Sequence, residues 1–171
     1  MITMKRITIT VVLTITIVNL FAQTDSSEVL QVADTNIIVG ECDRSDLQTG
    51  EFGNHFFEEY RSYQADGELS ESIKNKIFSC SITIVLATWC HDSQLQVPRF
   101  IKILDNIDYN TNYLKIICVD KEKKAGDIDI SMLDIEKVPT FIFYKEDKEV
   151  GRIIETPSET LEIDTFNILE K

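Results

Sequence analysis

The only tryptophan and one of four cysteines, Trp89 and Cys90, close the run SITIVLATWC, and HDSQLQVP follows. The residues before the pair favour a strand, and those after it carry apolar side chains at helical spacing. A thiol at such a junction faces the unsatisfied N–H groups and the positive dipole end of the helix. Both favour the thiolate, the species that attacks disulfides. His91 would add to that preference when protonated, whereas Asp92 opposes it. Ser93 stands three residues on, where its hydroxyl could donate a hydrogen bond to the Cys90 thiolate. The competing reading is an inert buried cysteine. Position argues against it, because open α/β sheets place their sites at the C-terminal ends of strands.

The other cysteines are Cys42, Cys80 and Cys118, and no two of the four have C-x-x-C spacing. With only His55 and His91 beside them, no metal site follows from local motifs, and no cofactor is expected. Cys80 lies at the far end of the strand that leads to Cys90, on the order of 25–30 Å away. A disulfide needs Cα atoms within about 7 Å, so that pair is excluded. Cys118 falls inside an apolar run and reads as a buried, inert side chain. Cys42 is left open: paired with Cys80, free, or in reach of Cys90.

The elements that must position Cys90 follow from periodicity. Residues 82–87, ITIVLA, are β-branched and nearly all apolar, as in a strand buried on both faces. Val97, Phe100, Ile101, Leu104 and Ile107 mark a helix, and YLKIICVD (113–120) a second buried strand. Strand, helix and strand in this order form a βαβ unit with a right-handed crossover. KEKKAGDIDISML is a charged loop with one helical turn. PTFIFYK and EVGRII form a hairpin across EDK, and residues 160–169 a closing amphipathic helix.

Ahead of this unit, NIIVG (36–40) reads as a short edge strand. In residues 45–63, Ser45 and Gln48 have capping-box spacing. Phe52, Phe56, Tyr60 and Tyr63 recur at helical intervals, and core packing is favoured over a ligand-lining role for that stripe. A shorter helix opens at Asp66 or Ser70 and carries Leu69, Ile73 and Ile77.

Together these motifs resemble the thioredoxin fold, in the extracytoplasmic thioredoxin-like branch of bacterial proteins. TWCHDS sits where that superfamily carries W-C-x-x-C. Pro98 lies eight residues past Cys90, as does the family's helix-kinking proline, and VPTFIFYK resembles its cis-proline loop and hairpin strand. The likeness covers roughly residues 81–171. It implies an α/β fold with a central mixed sheet flanked by helices, here with an N-terminal helical extension over 41–80. It also implies that Cys90 is the nucleophile and that Trp89 shields its flank. Pro139 would be cis, setting the backbone of Val138 beside the thiol to pair with an extended substrate. Two departures stand out: Ser93 replaces the resolving cysteine, and Ile84 replaces the buried acid six residues before the nucleophile.

Composition sets the wider frame. The 171 residues and 43% hydrophobic content suffice for one domain with an ordinary core. A formal charge of −12 opposes a phosphate backbone, so nucleic acid is not an expected partner. Lys5 and Arg6 precede the uncharged ITITVVLTITIVNLFA, and no acidic residue occurs before Asp25. Residues 1–22 read as a secretory signal peptide with cleavage after Ala22 or Gln23; the alternatives are a buried strand or an uncleaved anchor, which would be the sole membrane contact. Residues 23–40 read as a mobile leader. The expected location is therefore periplasmic or secreted, where disulfides persist.

The function expected is that of an envelope thiol-disulfide oxidoreductase-like protein with one nucleophilic cysteine. Cysteine-containing envelope proteins or low-molecular-weight thiols would be its partners. A non-catalytic module that binds peptides or proteins through the same groove is the main alternative. A monothiol glutaredoxin-like holder of an iron–sulfur cluster is a third, opposed by export and by the lack of a recognisable glutathione site.

Overall fold

The computed structural model describes residues 37–171, and its first element is the three-residue strand β1, Gly40–Cys42. The expected edge strand is therefore present but shifted toward Cys42. The signal-peptide segment and most of the leader lie outside the described residues.

The helix expected over residues 45–63 is divided in two. Asp43, not Ser45, caps the four-residue α1, Arg44–Leu47: its carboxylate accepts from the amides of Ser45 and Asp46, while Asp46 reaches back to the Asp43 amide. Such a reciprocal box satisfies amides that a helix start leaves open. The chain then turns at Thr49, and α2 runs Gly50–Ser62, with Gly50 at a φ of 60° that a side chain would strain. A Cβ on Gly53 would sit 2.6 Å from the Gln48 carbonyl, so only glycine lets α2 pass this close to α1. Helix α3, Gly67–Ile77, is capped by Asp66 through the amides of Glu68 and Leu69.

Strand β2, Cys80–Leu86, leads to α4, His91–Asn106; β3 is Leu114–Cys118, β4 Thr140–Lys145, β5 Lys148–Ile154 and α5 Leu161–Leu169. The sheet order is β1-β3-β2-β4-β5. Only β2 and β3 run parallel, as the βαβ reading requires, and the remaining neighbours are antiparallel. The hairpin turn is tighter than EDK: Glu146 and Asp147 alone form it, both with positive φ, and Lys148 already belongs to β5. Two-residue turns of this hand match the twist of the flanking strands. This mixed sheet flanked by helices, with its βαβ unit, hairpin and closing helix, is the expected α/β arrangement.

The two sheet faces are covered differently. Leu47, Phe56, Ile73, Phe100 and Leu169 come from five helices and share one core with Ile82, Ile84, Phe141 and Phe143. Phe100 anchors it, with ring centroids 4.7 Å from Phe141 and 6.0 Å from Phe143. On the opposite face, Val85, Ile117, Val119 and Val138 pack with Ile128, Ile130, Leu133 and Ile135 from the β3–β4 loop, which holds one 3-10 turn, Ser131–Leu133. Of the aromatic stripe, Phe52 and Phe56 are core. The hydroxyls of Tyr60 and Tyr63 donate to Asp105 at 2.6 Å and to Glu162 at 2.8 Å. The stripe joins α2 to α4 and α5, in agreement with the packing reading.

All four cysteines are free thiols, so of the alternatives left open for Cys42 the free one holds, and Cys118 is buried as expected. The Cys42 sulfur lies 2.9 Å from that of Cys118, so Cys42 meets neither Cys80 nor Cys90. Antiparallel pairing of β1 with β3 decides this, because it sets Cys42 opposite Ile116 and diagonal to Cys118 on one sheet face. Among the described residues no helix is long and apolar enough to cross a membrane.

Candidate functional site

Strand β2 ends at Leu86, and the next four residues turn the chain into α4. The Cys90 amide donates to the Ala87 carbonyl at 3.0 Å, closing the turn. The Cys90 carbonyl then accepts the Gln94 amide at 3.0 Å, the first bond of α4, so Cys90 is the residue at the helix N-cap. The helix continues through the buried Pro98, which has no N–H to offer the preceding turn. Burial of Val97, Phe100, Ile101 and Leu104 against the sheet fixes the helix axis, and through it the place of the thiol.

The Cys90 thiol donates to the Val138 carbonyl at 3.2 Å, across 48 residues of chain. The Val138–Pro139 bond is cis. Cys90 is half-buried and packs, with Ile130 and Ile135, against the core cluster that contains Val138 and Ala87. Trp89 beside it remains 38% exposed, so it offers an apolar surface at the rim rather than a closed shield. His91 is exposed and Asp92 half-buried on the first turn of α4.

Ser93 takes a different partner from the one expected. It is fully buried, and its Oγ accepts the Ala87 amide at 3.2 Å. The hydroxyl therefore ties the first turn of α4 to the end of β2, and the hydrogen bond at Cys90 goes to Val138 instead. Ile84 is also fully buried, opposite Ile116 and Phe141, so no acid occupies that point of the core.

Three residues that sequence spacing did not single out complete the surroundings. Gln94 donates through Nε2 to the Thr88 carbonyl at 2.9 Å, bracing the turn that carries Trp89. Thr88 accepts the Ile38 amide on its hydroxyl at 3.3 Å, which fastens the chain ahead of β1 to the same turn. Lys137, next to Val138, pairs with Glu155 at 2.6 Å. Glu155 holds the Lys137 ammonium above the ordinary lysine range, with Asp92 a weaker contributor from across the site. Of these, only the i, i+6 reach of Gln94 around a helix start leaves any trace in sequence; the others depend on chain segments far apart.

Among the described residues no group of three or more His, Cys, Asp and Glu side chains is arranged to hold a metal ion. What the site does hold is one partly accessible thiol at a helix start, beside a backbone carbonyl on a neighbouring loop and next in the chain to an exposed tryptophan.

No family model matches the chain, and no curated protein does either. Solved structures do align with it. One is a protein of unknown function from Pseudomonas aeruginosa, at 14% identity and a TM-score of 0.52 over 71% of this chain and 84% of that one. Another is an HIV epitope-scaffold, at 12% identity and a TM-score of 0.52 over the same shares of the two chains. Both likenesses concern the fold. Thioredoxin O2 of Arabidopsis thaliana in its oxidized state aligns at 16% identity and a TM-score of 0.37, over 63% of this chain and 89% of that one.

Proposed function

We propose that this chain is an extracytoplasmic thiol-disulfide protein that works through a single nucleophilic cysteine, Cys90. The observation that carries the reading is the bond from the Cys90 thiol to the Val138 carbonyl at 3.2 Å. It places a half-buried sulfur at a helix start against the loop where an extended peptide would lie. Loss of its proton to solvent frees the sulfur to attack one sulfur of a disulfide R–S–S–R′. A Cys90–S–S–R bond forms, and R′S⁻ leaves. A second thiol must then attack the R-side sulfur, forming a new disulfide with R and releasing the Cys90 thiolate, because position 93 supplies only a hydroxyl.

Trp89 would rest on the apolar part of the substrate, and Val138 and Pro139 would line its backbone. His91 and Asp92 would set the local charge. Cysteine-containing envelope proteins and low-molecular-weight thiols are the partners this chemistry admits. The basic and then apolar residues 1–22 support export, and the native protein should begin near Gln23 or Thr24.

The test is adduct formation with oxidised glutathione, read by peptide mass mapping. One glutathione should appear on Cys90, stable until a thiol is added, and Cys90→Ser should abolish it. If native Cys90 stays unmodified while the urea-unfolded chain reacts, the redox reading fails, and a groove that binds without chemistry becomes the better account.

A further inference from the structure

We propose that Cys42 and Cys118 are a disulfide-forming pair that fastens the edge strand β1 to β3, independently of any chemistry at Cys90. Their sulfurs are 2.9 Å apart, closer than unbonded sulfur atoms ordinarily approach, whereas a disulfide spans about 2.0 Å. Both residues are buried, at 8% and 0% exposure, and the contact joins positions 76 residues apart in the chain. The side chains converge because β1 and β3 run antiparallel and both residues face the helix-covered core. Neither of the other two cysteines shares that contact. Cys80 opposes Lys145 at the start of β2, and the Cys90 thiol donates its hydrogen bond to the Val138 carbonyl.

The position suits a strand that needs fastening. Strand β1 has three residues, lies at the sheet edge and is joined on one side only. Just ahead of it, Ile38 bonds to Thr88 on the turn before Cys90. A covalent link at Cys42 thus also holds residues 38–42 against the candidate site. Cys42 also borders a groove of about 580 Å³ with Glu41, Arg44, Leu104 and Ile116, the side from which an oxidant reaches it once β1 lifts.

The oxidant is a low-molecular-weight or protein disulfide. Thiolate from Cys42, the sulfur nearer the edge, attacks R–S–S–R, forming Cys42–S–S–R and releasing RS⁻. The Cys118 thiolate then displaces the second RS⁻ from Cys42. Overall the two thiols lose two protons and two electrons to the external disulfide, which becomes two thiols. Proximity to the Cys118 sulfur and burial both hold the Cys42 thiol well above its ordinary pKa, so attack proceeds when β1 lifts, during folding above all.

The experiment uses the full chain, refolded in a buffer of oxidised and reduced glutathione. It is then unfolded in iodoacetamide without reductant and digested. The expected map shows alkylation at Cys80, with Cys90 alkylated or carrying glutathione. A peptide pair linked through Cys42 and Cys118 should be two hydrogens lighter than the sum of its thiol forms. Reduction with a phosphine should lower the melting temperature by roughly 10 °C, and Cys42→Ala should remove that sensitivity. Alkylation of all four cysteines, a link from Cys42 to Cys80 or Cys90, or equal melting temperatures before and after reduction would each overturn the proposal.

Discussion

Ser93 is where sequence and structure make the most separable demands on one side chain, and two substitutions pull them apart. Its Oγ accepts the Ala87 amide at 3.2 Å, and both residues are fully buried, so water has no access to replace the bond. Ser93→Ala leaves that amide unpaired. A buried donor without a partner costs about 1–3 kcal/mol, and removal of a buried hydroxyl returns part of it, so a net loss of about 1.5 kcal/mol is expected. With a urea slope of about 1.5–2 kcal/mol/M, the unfolding midpoint should fall by roughly 0.75–1 M. Ser93→Cys keeps a side chain of similar size whose sulfur is a weak acceptor, so its midpoint should lie between those of wild type and Ser93→Ala. Only Ser93→Cys should acquire reductase activity in an insulin-turbidity assay, because only it supplies an internal thiol to resolve a mixed disulfide on Cys90. That gain needs the new side chain to turn from Ala87 toward Cys90, and Ile84 offers no acid to speed the proton transfer. A Ser93→Ala midpoint within ~0.2 M of wild type would show that the Ala87 bond does not hold the turn. A Ser93→Cys protein inert toward insulin, while Cys90 still accepts glutathione, would show that position 93 lies outside resolving range.

Other consequences can be checked on the same proteins. Phe100→Ala removes a fully buried ring packed on Phe141 and Phe143, and should cost about 3–5 kcal/mol in urea unfolding. Gly53→Ala sets a Cβ against the Gln48 backbone, which cannot yield as a side chain would; a loss of about 1–3 kcal/mol is expected, seen as a lower melting temperature. The Asp43 carboxylate is held below its ordinary pKa, first by the Ser45 hydroxyl and then by the Asp46 amide. Its contribution is therefore complete above pH ~4 and lost as pH falls through the lower folded value. Asp43→Asn should flatten that part of the acid-stability curve while leaving the neutral-pH value nearly unchanged, since asparagine also caps helices.

Much of the scaffold was legible in sequence because its signals are local. The β-branched run 82–87 can bury both faces only as a central strand, and it became β2 within two residues of the expected bounds. The stripe from Val97 to Ile107 repeats at helical spacing, and α4 follows it. Asp66 and the apolar positions 73 and 77 marked α3 in the same way. These features put Cys90 at a helix start, since a strand end and a helix beginning four residues apart leave it no other place.

What tertiary structure alone decided was nonlocal. Local spacing points to a capping box at Ser45–Gln48, whereas the chain forms it at Asp43–Asp46, and the close approach of Gly53 to the Gln48 carbonyl accompanies it. The Ser93 hydroxyl accepts the Ala87 amide, which is buried and has no water to turn to, a partner that local spacing did not indicate. No local rule pairs Cys42 with Cys118, because their distance depends on which strand β1 joins, in which direction and in which register. The same holds for the bond between Cys90 and Val138, made by the packing of α4 and the β3–β4 loop around one end of β2. Periodicity records which face of an element is buried; what it is buried against is set when segments far apart in the chain exclude water together.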